Sequence, residues 1–472
     1  MLAMRTTEES EPRSADGSSL RTRSRSSDLR RAASAAVVAL GLAAMPASSA
    51  HAATAPDLAD FDLRPGSLNA ELQSRVADLD AQLPKLGVQN ILAQASRHGT
   101  AMSGNGAVCN PSAVDGKEPN IPVVYSFCWD PADAGANGGN IEWTPQGITS
   151  VADAQDDQLW GTVQPLIVTW YNNDSESVKG VRVTFIDPWT GSYQHVLLVY
   201  PFVNASGNTS YMSVRAAQDS TGKSLHAGGV AWYGNYLYVA DTARGFRVFD
   251  MRYIFDLGST TSGNTTDKTQ IGRQNGIFYG YGYRYVMPEV AAWTSALGEL
   301  PSPIPKCTAS GKPHFSFVGL DRTGVDHLNT GEYCDGTTGD LTGRVASWPL
   351  DGSNGTPVLS ADGHWHATEA YRLPVSNIQG AVSHGGTWYL SRSHGDDVPD
   401  QNDNSDLYRT AAGSSPTGVL GPPQRVPGAI GAEDLSYWSG FPGFGDVTFT
   451  LTEHAEIYPE RMIYASPVSA FK

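Results

Sequence analysis

From about residue 140 to the C-terminus the chain is written in short apolar runs that alternate hydrophobic and polar positions, broken every few residues by Gly, Pro or Asn. Alternation with a period of two places one face of each run in a core and the other towards neighbouring strands or water, so this region predicts strands. The runs recur in groups. A small-residue motif opens each group: Pro145-Gln146-Gly147-Ile148-Thr149, His226-Ala227-Gly228-Gly229-Val230-Ala231, Ile378-Gln379-Gly380-Ala381-Val382 and Ala432-Glu433-Asp434-Leu435-Ser436. In three groups a turn leads to a second run (Asn235 to Asp241, Thr387 to Arg392, Asp446 to Glu453) and then a third (Gly245 to Met251, Ser405 to Arg409, Arg461 to Ser466). Pro313 to Leu320, with Thr330 to Cys334 and Gly343 to Leu350, forms a looser fifth copy.

A small sheet repeated at intervals of tens of residues cannot bury both its faces alone, and a circular array of such sheets solves that problem. The pattern therefore predicts an all-β, five- or six-bladed β-propeller over residues 140–472. By its order of small turn-in motif, "G-x-x-Y-x-A/S" strand and "x-V/L-F/Y" strand, this region resembles the broad, functionally mixed class of secreted bacterial β-propeller proteins. That resemblance implies architecture and leaves the chemistry to the residues.

Upstream the period changes. Asn69 to Gln94 repeats Leu and Val at three- and four-residue spacing with Pro84 as a break, which predicts one or two amphipathic helices in an N-terminal extension, residues 53–139. Residues 1–52 run from an Arg-rich segment ending in Arg30-Arg31, through the apolar stretch Ala32 to Ala44, to the small triplet Ala50-His51-Ala52. That is the order of a secretory signal, with an apolar run shorter than the roughly 20 residues a membrane span requires.

Export changes the reading of the cysteines. Cys109, Cys128, Cys307 and Cys334 would all reach an oxidising compartment, and pairing Cys109 with Cys128 and Cys307 with Cys334 closes the shortest loops. No CxxC pair is present to suggest zinc. Cleavage after Ala52 removes seven basic and five acidic residues, so the formal charge of −16 becomes −18. Such acidity argues against nucleic acid or an anionic membrane as partner. The expected partner is an extracellular saccharide or other small polar substrate, with the chain acting as a monomer.

Innermost strands of a propeller begin at the mouth of its axis, so the turn-in motifs nominate a polar ring of Gln146, His226, His314, Gln379 and Glu433 with Asp434, with His384 later on the same strand as Gln379. Neighbouring residues on a regular strand face opposite ways, so only a bulge would let both Glu433 and Asp434 point inward. A catalytic reading makes Glu433 the base, with His226 or His384 as acid or electrostatic partner. Arg244 and Arg392 would hold a substrate carboxylate or phosphate, and Gln146, Gln379 and His314 would complete substrate binding.

Two metal patterns are visible. Asp400, Asn402, Asn404 and Asp406 place oxygens at alternate positions, as in the first half of a calcium loop, although Ser405 stands where such loops carry Gly and Ala411 where they carry Glu. His364 and His366 flank Trp365 at strand spacing and suit a transition metal, but a site needs a third ligand. Trp143, Trp160, Trp170, Trp189, Trp232, Trp388 and Trp438 fall within blades, most of them as core, with one or two expected near the axis as sugar platforms. The expectation is a hydrolase or lyase acting on extracellular carbohydrate. The alternatives are a non-catalytic carbohydrate- or protein-binding propeller and a calcium-dependent lactonase or phosphoester hydrolase.

Overall fold

The computed structural model describes residues 54–471 apart from 119, 135–141, 174–177, 216–224, 337–340, 395–402 and 454–460. The secretory segment expected at 1–52 lies outside the described residues.

Five four-stranded antiparallel blades surround one axis. Blade 1 comprises Trp143–Ser150, Leu166–Asn172, Val181–Ile186 and Ser192–Val203. Blade 2 comprises Val230–Tyr233, Tyr236–Asp241, Gly245–Asp250 and Tyr285–Ser295. In blade 3 the strands are Phe317–Asp321, His327–Gly331, Arg344–Asp351 and Glu369–Arg372, and in blade 4 Ile378–His384, Thr387–Arg392, Asp406–Ala411 and Gln424–Pro427. Blade 5 takes Ala432–Phe441, Gly445–Thr452 and Ile463–Pro467 from the C-terminus and Tyr125–Cys128 from near the N-terminus, with Thr100–Ser103 at its edge. The first-named strand of each blade touches its two counterparts around the axis, closing the ring at five.

Glycine lets the inner strands come this close. A Cβ on Gly229 would lie 2.1 Å from the backbone N of Val318 in blade 3, and one on Gly380 2.6 Å from that of Leu435 in blade 5. Gly147 and Gly319 make equivalent approaches, which is the physical content of the small turn-in motifs. Each blade buries at least one large indole: Trp170, Trp232, Trp348, Trp388 and Trp438 are at most 1% exposed. Each such burial removes roughly 200 Å² of apolar surface from water and contributes on the order of 5 kcal/mol against the chain's conformational entropy.

The N-terminal extension, over its described residues between 53 and 139, adds strands to the sheets of the ring. Its strand Tyr125–Cys128 pairs with Ile463–Pro467 at Phe127 opposite Ile463 and Tyr125 opposite Ala465, so the ring is closed by joining the two ends of the chain. Leu63–Pro65 adds to the outer strand of blade 2, and Arg97–His98 to that of blade 1. The helices Asn69–Asp80 and Val88–Ala93 lie where the periodicity places them, burying Leu72, Val76, Leu79, Ile91 and Leu92. Both disulfides join the expected partners, Cys109 with Cys128 and Cys307 with Cys334. Among the described residues no helix is long and apolar enough to cross a membrane.

Candidate functional site at the axial mouth

Inner strands beginning at one end bring their first residues together. Gln146, His226, His314 and Gln379 line a single cavity of about 680 Å³, as the repeat pattern expects. Tyr171, Thr242, Lys306, Tyr333, Asp335 and Glu453 complete much of its wall, together with the Cys307–Cys334 bridge.

Bulges aim these side chains. Strand register slips between Pro145 and Ile148, between Ile378 and Gly380, and between Ala432 and Leu435. Each slip inserts residues without cross-strand partners, re-aiming their side chains. At the third, both Glu433 and Asp434 point inward, the exception to strand alternation that the sequence left open. Asp434 Oδ2 accepts from the N–H groups of Ile148 in blade 1 (3.2 Å) and Val230 in blade 2 (3.4 Å), sealing the axis beneath the cavity.

Two amide–carboxylate pairs form the cavity's polar floor. Gln146 Nε2 donates to Glu453 Oε2 (2.7 Å) and to the carbonyl of Pro145 (3.0 Å), while Gln379 Nε2 donates to Glu433 Oε1 (3.1 Å). Each pair holds a carboxylate against a glutamine amide. Glu433 is buried against Gln379, and Glu453 is the glutamate among the residues that line the cavity. Glu433, expected as the base, is not among the residues that line the cavity.

Ala227, at φ 52°, holds the left-handed turn that presents His226 to the cavity, and its carbonyl accepts from Thr169 Oγ1 (2.9 Å), which itself accepts from the N–H of Gly147 (2.8 Å). The imidazole of His226 packs on Tyr171 with ring centroids 4.9 Å apart and planes 30° apart. Its ring is open to the cavity yet walled by protein, and desolvation lowers its pKa, with the charge of Glu453 partly opposing. The shift favours the neutral ring, one nitrogen of which can accept a proton. His314 is also lowered, chiefly by burial, with Glu332 opposing and Arg344 reinforcing.

Other candidates fall elsewhere. His384 ends the strand that Gln379 nearly begins, five residues and roughly 16 Å along it. It stacks on Tyr437 with centroids 4.0 Å apart and does not join His226 and Glu433. Arg392 is engaged by Asp406 (3.0 Å) and Arg244 by Glu299 (2.8 Å), so neither lines the cavity, although Thr242 beside Arg244 does.

Half of the calcium pattern, Asp400 and Asn402, lies outside the described residues. Of the rest, Asn404 accepts from the N–H of Glu118 and donates to the carbonyl of Gly428. Asp406 opens a strand with Arg392 and Arg425 on its two oxygens. Burial opposes ionisation of Asp406, but hydrogen bonds from His394, Tyr408 and Arg425 hold its pKa below the ordinary value. Those two side chains are committed to holding loop and blade together, and the cations around Asp406 already neutralise the charge a calcium ion would need.

No tryptophan lines the cavity; Trp189, 44% exposed, stacks instead on Phe441. Its aromatic faces are Tyr171 and Tyr333. Hairpin geometry is the signal that finds what the turn-in motifs miss: a second strand must end where the first begins, so Tyr171 opposite Thr144, and Glu453 just past Thr452 opposite Ala432, return to the mouth.

No protein-family model and no curated protein matches the chain. Solved structures similar to it include a GH43_1 enzyme from Xanthomonas citri, 12% identical with a TM-score of 0.31 over 70% of this chain and 88% of that one. An exo-beta-1,3-galactanase from Phanerochaete chrysosporium is 10% identical at 0.33 over 71% and 62%. A glucose dehydrogenase is 10% identical at 0.25 over 66% and 80%. At these identities and scores, the chemistry has to be read from the cavity itself.

Proposed function

We propose that the protein is an exported propeller enzyme that cleaves carbohydrate, by hydrolysis or elimination, in the axial-mouth cavity. The observation that carries this reading is the convergence of His226 and the Gln146-bound Glu453 on one cavity faced by Tyr171 and Tyr333. Its volume is of the order that holds a few sugar units. The tyrosine faces suit pyranose C–H groups, and the glutamine side chains and Lys306 suit hydroxyls. In hydrolysis His226 would accept the proton of the attacking water, Glu453 would stabilise the oxocarbenium-like charge and Lys306 would give a proton to the departing glycosidic oxygen. In elimination His226 would take the proton from the sugar carbon and Lys306 would stabilise the negative charge left there before the glycosidic oxygen departs with a proton. The signal-like leader and the two disulfides support action outside the cell.

The test is release of reducing ends from a polysaccharide panel, with and without chelator, by wild type, Glu453→Gln and His226→Ala. Turnover lost by a hundredfold or more in both variants, with glycan binding kept in Glu453→Gln, supports the reading. Glycan binding without turnover in wild type replaces it with a carbohydrate-binding propeller, and turnover abolished only by chelator replaces it with a calcium-dependent hydrolase.

A further inference from the structure

Away from the axis, on the segment that follows the third strand of blade 3, Trp365 is fully buried. Its backbone N–H and C=O pair with Leu63 (2.8 and 3.0 Å), and its Nε1 donates to the carbonyl of Pro349 (2.7 Å). With this residue pinned, His364 and His366 on either side emerge together, ring centroids 5.9 Å apart and each 37% exposed. A turn closed by Ser360 N–H on the carbonyl of His364 (3.0 Å) brings Asp362 back beside them. Asp362 Oδ2 lies 3.1 Å from His366 Nε2 and 3.6 Å from His364 Nδ1, and one ligand atom from each of the three residues falls within 4.8 Å of the others.

We propose that Asp362, His364 and His366 form a binding site for a divalent transition cation, zinc above all. Bonds of 2.0–2.1 Å in a tetrahedron place neighbouring ligand atoms about 3.3 Å apart, and the spacings of 3.1 and 3.6 Å bracket that edge. Two imidazoles and one carboxylate form a donor set that favours zinc, copper or nickel over calcium or magnesium. The fourth position faces solvent, where water completes the coordination.

Asp62 is the positioning residue. Its Oδ1 lies 2.6 Å from His366 Nδ1, placed to accept a hydrogen bond from Nδ1–H, the tautomer that would turn the lone pair of Nε2 to the cation. Because Asp62 belongs to the N-terminal strap and His366 to blade 3, occupation of the site would clamp one to the other across the Leu63–Trp365 bridge.

The experiment is calorimetric titration of untagged, chelator-treated full-length protein with zinc chloride, with melting curves taken alongside. The expected result is one saturable site per chain at micromolar affinity or tighter and a melting temperature that rises with zinc. Affinity should drop at least tenfold in His364→Ala and in Asp362→Asn. Asp62→Asn should weaken zinc about tenfold without changing the stoichiometry, and Asp62→Glu should recover part of it. Absence of saturable binding, or stoichiometric binding unchanged in the double variant His364→Ala/His366→Ala, would overturn the proposal. Should a variant fail to fold, cobalt(II) on the wild-type chain decides: a tetrahedral visible spectrum supports the site, and an octahedral aquo-like spectrum contradicts it.

Discussion

Gly147, Gly229, Gly319 and Gly380 let the inner strands of four blades approach their neighbours, and Gly380 meets Asp434 on the inner strand of blade 5. Four blades meet by removing a side chain, and the fifth fills the space that remains with a carboxyl group bonded to blades 1 and 2. Burial raises its pKa well above the ordinary value against hydrogen bonds from backbone N–H groups, which favours the neutral form. Asp434→Asn should therefore retain the fold nearly intact, whereas Asp434→Ala leaves the N–H groups of Ile148 and Val230 without partners and should cost about 2–5 kcal/mol in denaturant titrations. Nearby Asp153 is fully buried and raised to about 6, against hydrogen bonds from Thr149 and Ser436. Because the unfolded chain ionises near 3.8 and the folded one only near 6, this group's contribution is greatest below pH 4, is lost as pH rises from about 4 to 6, and then levels off. The swing is roughly 3 kcal/mol. Asp153→Asn should flatten that part of a stability–pH curve; an unchanged slope would remove Asp153 as its source. His226 carries the complementary prediction for activity. Turnover that needs its neutral ring should fail as pH drops through a value below 6.5, and that acid limb should disappear in His226→Gln.

At the scale of elements, the inner strands were legible because glycine and alternation both mark them, and so were the helices and the pairs of cysteines. The bulges were not, because a one-residue slip is decided by how neighbouring blades approach rather than by local propensity. The bulges hand the cavity its glutamines, and the hairpin returns hand it Glu453 and Tyr171. For the same reason His384 was misplaced: belonging to the right strand says nothing about which end of it a residue occupies. The closing strand from residues 125–128 was also hidden, since pairing across more than 300 positions leaves no local trace. Beside it, buried Asp133 binds Arg182 (2.9 Å), His195 Nε2 (3.0 Å) and Tyr193 (2.9 Å), while its carbonyl accepts from Arg461 of blade 5 (3.2 Å). Burial opposes its charge, but Arg182, Arg97 and these hydrogen bonds keep Asp133 ionised, and burial together with Arg182 holds His195 neutral at about 3. Asp133→Ala would strand the Arg182 charge and should cost about 3–5 kcal/mol, read as a fall in the urea midpoint.

On the scale of the whole molecule, five sheets, one axis and two disulfides turn a chain of net charge −16 into a rigid frame around one polar mouth. Each bridge constrains the unfolded chain by about 3 kcal/mol. Cys307–Cys334 also forms part of the cavity wall, so reductant should lower both the melting temperature and any saccharide affinity, and a Cys109→Ser/Cys128→Ser variant should lower chiefly the former. The proposed chemistry belongs to the mouth where the inner strands begin and not to the end where they finish. Its most direct measurement compares saccharide turnover in Glu453→Gln and His384→Ala. A loss of at least a hundredfold is expected in the first and wild-type rates in the second; full activity in Glu453→Gln, or its abolition in a folded His384→Ala, would place the chemistry elsewhere.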